Sequence, residues 1–364
     1  MAPNNIITTT AMAPGAKKAP RMEWLDAMRG FTMILVVAYH VSLIGFTQSI
    51  KESSVLPLFV LFRMPLFFFI SGFLAYKSNL TWSGNTLGTL VWKKVKIQIF
   101  PTLVFLYVFV VVKYPDFMTG INAVMASPTK GGYWFTWSLL HMFIIYYLFS
   151  FVEYKLKWRS WIPIAILWFV ALCIYATVYM PAWFTYHNAP FYKYSSLIQT
   201  MQFFHFFLFG NIVRRYWGNF QKLFDTRGFF LTCLIVAFIC CADFLKWHVC
   251  RMQVTNLPRT TAMYTLLLII FMTFRYYKDY FTKENRIGRM LQYIGARTLD
   301  IYLLHFLFMP NLKCVGKFLD ANPHNFVLDT TISLVFSLLV VGLCIVVSNI
   351  IRISPFLKKY LFGR

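Results

Sequence analysis

Arg29 and His40 lie eleven residues apart inside the first apolar run of the chain. At about 3.6 residues per helical turn, that spacing makes just over three turns. Both side chains therefore fall on one stripe, separated by ~16 Å along the axis. A charged side chain inside a membrane costs at least ~2.5 kcal/mol, so each is a candidate functional group. A guanidinium grips anions and a neutral imidazole accepts protons. The stripe can thus hold a long ligand, anionic at one end and reactive at the other. Asp26 precedes Arg29 by three residues and can pair with it. A plainer reading stays open, with Arg29 as a cytoplasmic-side anchor and His40 as a hydrogen-bonded core histidine.

Other polar groups interrupt the later apolar runs. Arg63 lies deep enough in the second run to need a partner or a water-filled cavity. Ser71-Gly72, near the cytoplasmic end of that run, lets a helix or a ligand approach the backbone. Lys93, Lys94 and Lys96 precede Pro101 and suit either phosphates or anionic lipids. A late run carries Arg297, Asp300, Tyr302 and His305. Arg297 and Asp300 are three apart and can neutralise each other. His305 sits at a depth comparable to His40. With His141 and His205, four intramembrane histidines raise the question of a metal. None pairs at helical ligand spacing and no carboxylate accompanies them, so no metal site is expected. The seven cysteines lack zinc-type spacing and read as small apolar residues. Trp183, Tyr186, His187, Tyr192 and Tyr194 make an aromatic loop that suits a membrane interface or a sugar face.

These groups need an apolar scaffold, and the composition supplies one. Of 364 residues, 59% are hydrophobic and only 13% charged, with 40 phenylalanines. A soluble domain carries roughly 25% charged residues. The balance excludes a disordered chain, a secreted disulfide scaffold and a soluble nucleic-acid binder. It predicts an all-α polytopic integral membrane protein with about ten transmembrane helices. The apolar runs fall at about 27–48, 55–76, 96–115, 133–153, 160–180, 197–213, 228–246, 260–277, 291–310 and 328–352. Residues 1–22 read as a flexible cytoplasmic tail, 23–355 as the transmembrane domain and 356–364 as a basic cytoplasmic tail. With the N-terminus inside, 24 lysines and arginines fall in inner segments and 9 in outer ones. That asymmetry predicts cytoplasmic termini and accounts for the net charge of +23 without nucleic acid.

Four segments, in order, resemble the signatures of the membrane acyltransferase 3 family. Trp24-Leu25-Asp26-Ala27-Met28-Arg29-Gly30, followed by His40, is similar to the family's opening motif. Met64-Pro65-Leu66-Phe67-Phe68-Phe69-Ile70-Ser71-Gly72-Phe73 resembles its second-span motif. Lys93 and Lys96 stand where the family usually has two arginines three apart, which turns a bidentate phosphate grip into a point-charge contact. Ile294 to His305 resembles its late Tyr-Leu-Leu-His segment, with Asp300 as an untypical acid.

The resemblance implies transfer of an acyl group, usually acetyl, from cytoplasmic acyl-CoA. The implied acceptor is a hydroxyl of an extracytoplasmic or lipid-linked glycan. Bacterial members act in the inner membrane, some with an added extracytoplasmic hydrolase-like domain. With twelve residues after Arg352, no such domain is expected here. On this reading acyl-CoA is the donor substrate, no cofactor is permanently bound, and membrane lipids are the other partners. Arg29, Lys93 and Lys96 would meet the phosphates, with Asp26 and Arg63 beside the donor path. His40 would take the acceptor proton or carry the acyl group transiently. Ser71 and Tyr302 are candidate oxyanion donors, and His305 a second base or a group that positions the acceptor. The rival reading is a transporter or flippase for a lipid-linked glycan, though no internal repeat supports it. A receptor without chemistry leaves the Arg29–His40 stripe unexplained.

Overall fold

A chain in lipid finds no water for its amide groups, so apolar runs close their own hydrogen bonds as helices. The computed structural model describes residues 22–49, 53, 55–78, 80–158, 160–179, 190–244, 256–322 and 325–362. The tail expected over 1–22, apart from Met22, lies outside them, as do Trp183, Tyr186, His187 and Cys250. Among the described residues every regular element is helical. The site depends on α1 (Glu23–His40), α2 (Leu56–Ala75), α3 (Gly84–Lys113) and α4 (Trp134–Lys155). It depends further on α5 (Leu197–Arg215), α6 (Asn256–Tyr276), α7 (Arg286–Ala296), α8 (Thr298–Leu304), α9 (Phe326–Ile351) and α10 (Pro355–Phe362).

Two glycine-mediated crossings set the bundle. A Cβ on Gly30 of α1 would stand 2.0 Å from the Leu291 carbonyl oxygen of α7, and one on Gly295 would stand 1.9 Å from that of Asp26. Likewise, a Cβ on Gly72 would meet the Phe207 oxygen at 1.8 Å, and one on Gly210 the Phe69 oxygen at 2.0 Å. Backbones therefore touch along α1–α7 and α2–α5, as small residues permit in membranes. Ser71-Gly72 splits its expected roles: the glycine admits α5, and the serine faces a cavity. Phe271 of α6 packs edge-on to Phe69 of α2 at a centroid distance of 5.1 Å and tilted against Phe73 at 5.8 Å.

Two spans widen into π turns. Val41–Gly45 follows His40 directly, and Val95–Ile99 precedes Pro101 within α3. Pro101 has no N–H to offer the Ile97 carbonyl, so the helix relaxes there.

The ten crossings expected from the sequence are not all reproduced. Among the described residues six helices are long and apolar enough to span: Glu23–Gly45, Leu56–Ala75, Gly84–Lys113, Trp134–Lys155, Leu257–Tyr276 and Phe326–Ile351. The pair Trp217–Phe224 and Arg227–Ala242, bent by 77°, would make a seventh. The run at 160–180 forms the shorter helix Ile162–Thr177. The run at 197–213 forms α5, whose Gln199, Gln202, His205 and Asn211 reduce its apolarity. The run at 291–310 breaks at Arg297 (φ −113°, ψ 18°) into α7 and α8.

Candidate active site

The helical stripe read from the sequence is present as a wall. Arg29, Met33, Val36 and His40 of α1 line one cavity of about 350 Å³. Leu90, Lys93, Lys94, Ile97 and Gln98 of α3 form a second stripe of it. At one end Arg29 meets Lys77, Lys93 and Lys94; at the other lie His40, Gly132, Phe135 and Tyr302. Met64, Phe67, Ile70, Leu139 and Phe143 make the apolar walls between.

The reactive end is built by the break between α7 and α8. A fresh short helix begins at Thr298 and delivers His305 against α1. His305 Nε2 lies 3.2 Å from His40 Nδ1. The other ring nitrogen of His305 sits 2.7 Å from the Tyr302 carbonyl oxygen and 3.1 Å from that of Ile301. Carbonyls only accept, so His305 Nδ1 carries the proton. In the neutral ring Nε2 then accepts, and His40 Nδ1 must donate to it. His40 Nε2 is left with a free lone pair, the state a base requires. His305 is fully buried and absent from the cavity wall, whereas His40 is partly open and on it.

Arg63 belongs to this end. Its guanidinium lies 3.5 Å above the ring centroid of Tyr39, next to His40, and its Nε has no hydrogen-bond partner among the described residues. Cation–π contact replaces part of the lost hydration. The two expected oxyanion donors are otherwise engaged. Ser71 Oγ donates to the Phe67 carbonyl at 2.9 Å. Tyr302 Oη donates to the Gly132 carbonyl at 2.9 Å and accepts from Phe135 N–H at 3.1 Å. Tyr302 thus pins the turn before α4, where Gly132 has φ +104° and a Cβ would strike the Phe306 ring at 2.0 Å.

At the cationic end Arg29 pairs with Asp26 at 3.4 Å, as its spacing allows, and donates to Thr298 Oγ1 at 3.0 Å. That second bond ties α1 to the start of α8. Lys96 does not join the wall: its ammonium lies 5.3 Å from the Trp92 ring centroid. Lys94 takes the place beside Lys93, with its ammonium 3.5 Å above the Phe143 ring. The π turn that begins at Val95 shifts the helix phase, so three-residue spacing from Lys93 no longer points inward. Lys77 was not singled out from the sequence, although it ends the second apolar run. Partial burial, and then the neighbouring Lys93 ammonium, lower its pKa from the usual lysine value.

The expected Arg297–Asp300 pairing does not form. Asp300 accepts from Ser348 and from Arg352, with Arg352 Nη2 at 2.6 Å. Arg297 stacks on Tyr293 at 3.9 Å and donates to Asn349. The break at Arg297 rotates the two residues apart. His141 faces Thr200 and His205 faces Tyr264, both away from this cavity. Among the described residues no group of three or more His, Cys, Asp or Glu could hold a metal.

The acyltransferase 3 family model, an acyltransferase domain, matches residues 22–349, nearly the whole chain. The chain belongs to the acyltransferase 3 family. It is an acyltransferase, and its long apolar helices make it an integral membrane member. No curated protein matches the chain, and no solved structure matches it. Membership covers every helix of the cavity from Glu23 to the end of α8.

Proposed function

We propose that this acyltransferase moves an acyl group, typically acetyl, from cytoplasmic acyl-CoA to a hydroxyl of an extracytoplasmic or lipid-linked glycan. One observation carries the reading: a single cavity joins a cluster of cations to an imidazole whose free nitrogen can accept a proton. The phosphates suit Arg29, Lys77, Lys93 and Lys94, and the pantetheine arm suits the apolar walls. The acceptor oxygen attacks the thioester carbonyl as its proton passes to His40 Nε2. The C–O bond forms and the C–S bond breaks. The thiolate leaves and regains the proton from the imidazolium, giving free CoA. His305 holds the His40 tautomer and shares the positive charge. Arg63 is the cation nearest this end that can face the developing oxyanion. Attack by His40 itself, with a transient acyl-imidazole, uses the same atoms.

The membrane reading is part of the proposal. Ten crossings with both termini cytoplasmic, in a bacterial inner membrane, put the lysine end at the donor face. The positive-inside asymmetry supports it, since Lys77, Lys93, Lys94, Lys155 and Lys157 gather at one end of the bundle. The test is mass spectrometry of surface glycans from cells with and without the gene, paired with the purified protein in liposomes. An acyl-sized mass difference and acyl-CoA-dependent modification are expected. Movement of unmodified substrate, with no acylation, would overturn the proposal in favour of a transporter.

A further inference from the structure

Beside the cationic end of the first cavity lies a second one of about 660 Å³. Ala75, Lys77, Leu90 and Tyr147 line both, so the two are neighbours across one wall. Its volume falls within the range of about 300–1,000 Å³ typical of small-molecule sites. Its charge is one-sided. Lys77, Lys155 and Lys157 line it, and none has a carboxylate within ion-pair distance among the described residues. The acid on this wall, Glu153, is held by both terminal nitrogens of Arg215 and is neutralised. Lys157 also occupies the left-handed turn that ends α4, φ +53°, where glycine is the unstrained choice. The wall is aromatic as well. Trp82 packs on Tyr147 at 5.8 Å, and the rings of Tyr154 and Trp158 are about half exposed, at 47% and 45%.

Ammonium groups without counter-ions, beside open ring faces, fit a ligand that is both polyanionic and planar. A lipid headgroup offers the first property and lacks the second. We propose that this second cavity seats the 3′-phosphoadenosine end of the thioester donor, its 3′-phosphate among Lys77, Lys155 and Lys157 and its purine against Trp82 or Trp158, while the diphosphate passes Lys77 toward Arg29, Lys93 and Lys94. The inference rests on the acyl-CoA reading of the first cavity. It adds a direction to that reading: the donor threads past Lys77, with the nucleotide outside and the thioester inside.

The test is equilibrium binding of adenosine 3′,5′-bisphosphate to the full-length protein in nanodiscs of zwitterionic lipid. Wild type is expected to bind. The Lys155→Ala/Lys157→Ala pair should weaken binding about tenfold or more, as expected for lost charge-assisted hydrogen bonds. Trp158→Ala, at an exposed position, should weaken it several-fold and should also weaken adenosine 5′-phosphate. Equal affinity in wild type and variants overturns the site. So does a double variant that loses only its retention by phosphatidylglycerol vesicles, which would make these lysines lipid anchors. Protein that transfers acetyl from acetyl-CoA but does not bind the bisphosphate keeps the donor reading and removes this site. Protein that binds the bisphosphate at these residues yet uses no acyl-CoA keeps the site and removes the donor reading.

Discussion

Two imidazoles inside this bundle contrast sharply. His40 and His205 each present Nδ1 to another polar ring group: His305 at 3.2 Å for the first, and the Tyr264 hydroxyl at 2.6 Å for the second. Their surroundings are opposite. Tyr264 Oη also receives the Trp168 indole N–H at 3.3 Å, so His205 Nδ1 sits in a closed polar cluster. Its Nε2 is buried, with no hydrogen-bond partner among the described residues. His205 is fully buried and lines neither cavity. His40 keeps Nε2 bare and stands on a cavity wall. Residue type is shared; the neighbouring space sets the access. Of the two, only His40 combines a proton-accepting nitrogen with a route for substrate.

The contrast breaks most readily at His40. His40→Ala should lower acyl transfer by ~10²–10⁴-fold, the contribution usual for a general base, with expression and membrane insertion intact. Normal glycan acylation in that variant would make His40 no different in kind from His205. His305→Ala should lower kcat about tenfold, the rate equivalent of roughly one hydrogen bond's ~1.4 kcal/mol. His305→Gln can still accept from His40 Nδ1 and should recover part of that loss. If the Gln and Ala variants are equally slow, tautomer control is not what His305 supplies.

A smaller effect is expected at the far end of the stripe. Arg29→Ala should raise the KM for the donor several-fold to about tenfold, with kcat less affected, as charge-assisted contacts to phosphate would predict. Unchanged donor affinity would leave Arg29 as a topological anchor tied to Asp26 and Thr298. Smallest of all, His205→Phe should leave transfer within about twofold of wild type. Tyr264 Oη would lose its His205 hydrogen-bond partner, at a cost of about 1–3 kcal/mol, read as a lower Tm of the purified protein. A large loss of activity with unchanged Tm would mean that His205 communicates with the chemistry by a route the contacts do not reveal.

Much of the scaffold and half of the site were legible in the chain. The stripe Arg29, Met33, Val36, His40 follows from helical periodicity alone. So does the pairing of Asp26 with Arg29, because residues three apart on a helix face each other. Legibility fails where that periodicity is interrupted. The π turn at Val95–Ile99 leaves Lys96 off the cavity wall, and the break at Arg297 sends Asp300 to Arg352 instead of its near neighbour. It also divides the run at 291–310 into two short helices. Ser71 and Tyr302 were readable as hydroxyls near the site, but not that Phe67 and Gly132 carbonyls would take their protons.

The amino-acid sequence by itself determined that the chain is helical and lives in lipid, which end of each helix is basic, and which residues share the α1 stripe. These are consequences of composition and of a repeat a few residues long. Only the tertiary structure decided that His305 reaches His40 across 265 residues of chain, and that two lysine-lined cavities adjoin at Lys77. Those contacts depend on which helices cross at Gly30 and Gly295, and at Gly72 and Gly210. No local pattern encodes them, because a glycine marks where a backbone can approach without naming the backbone that does.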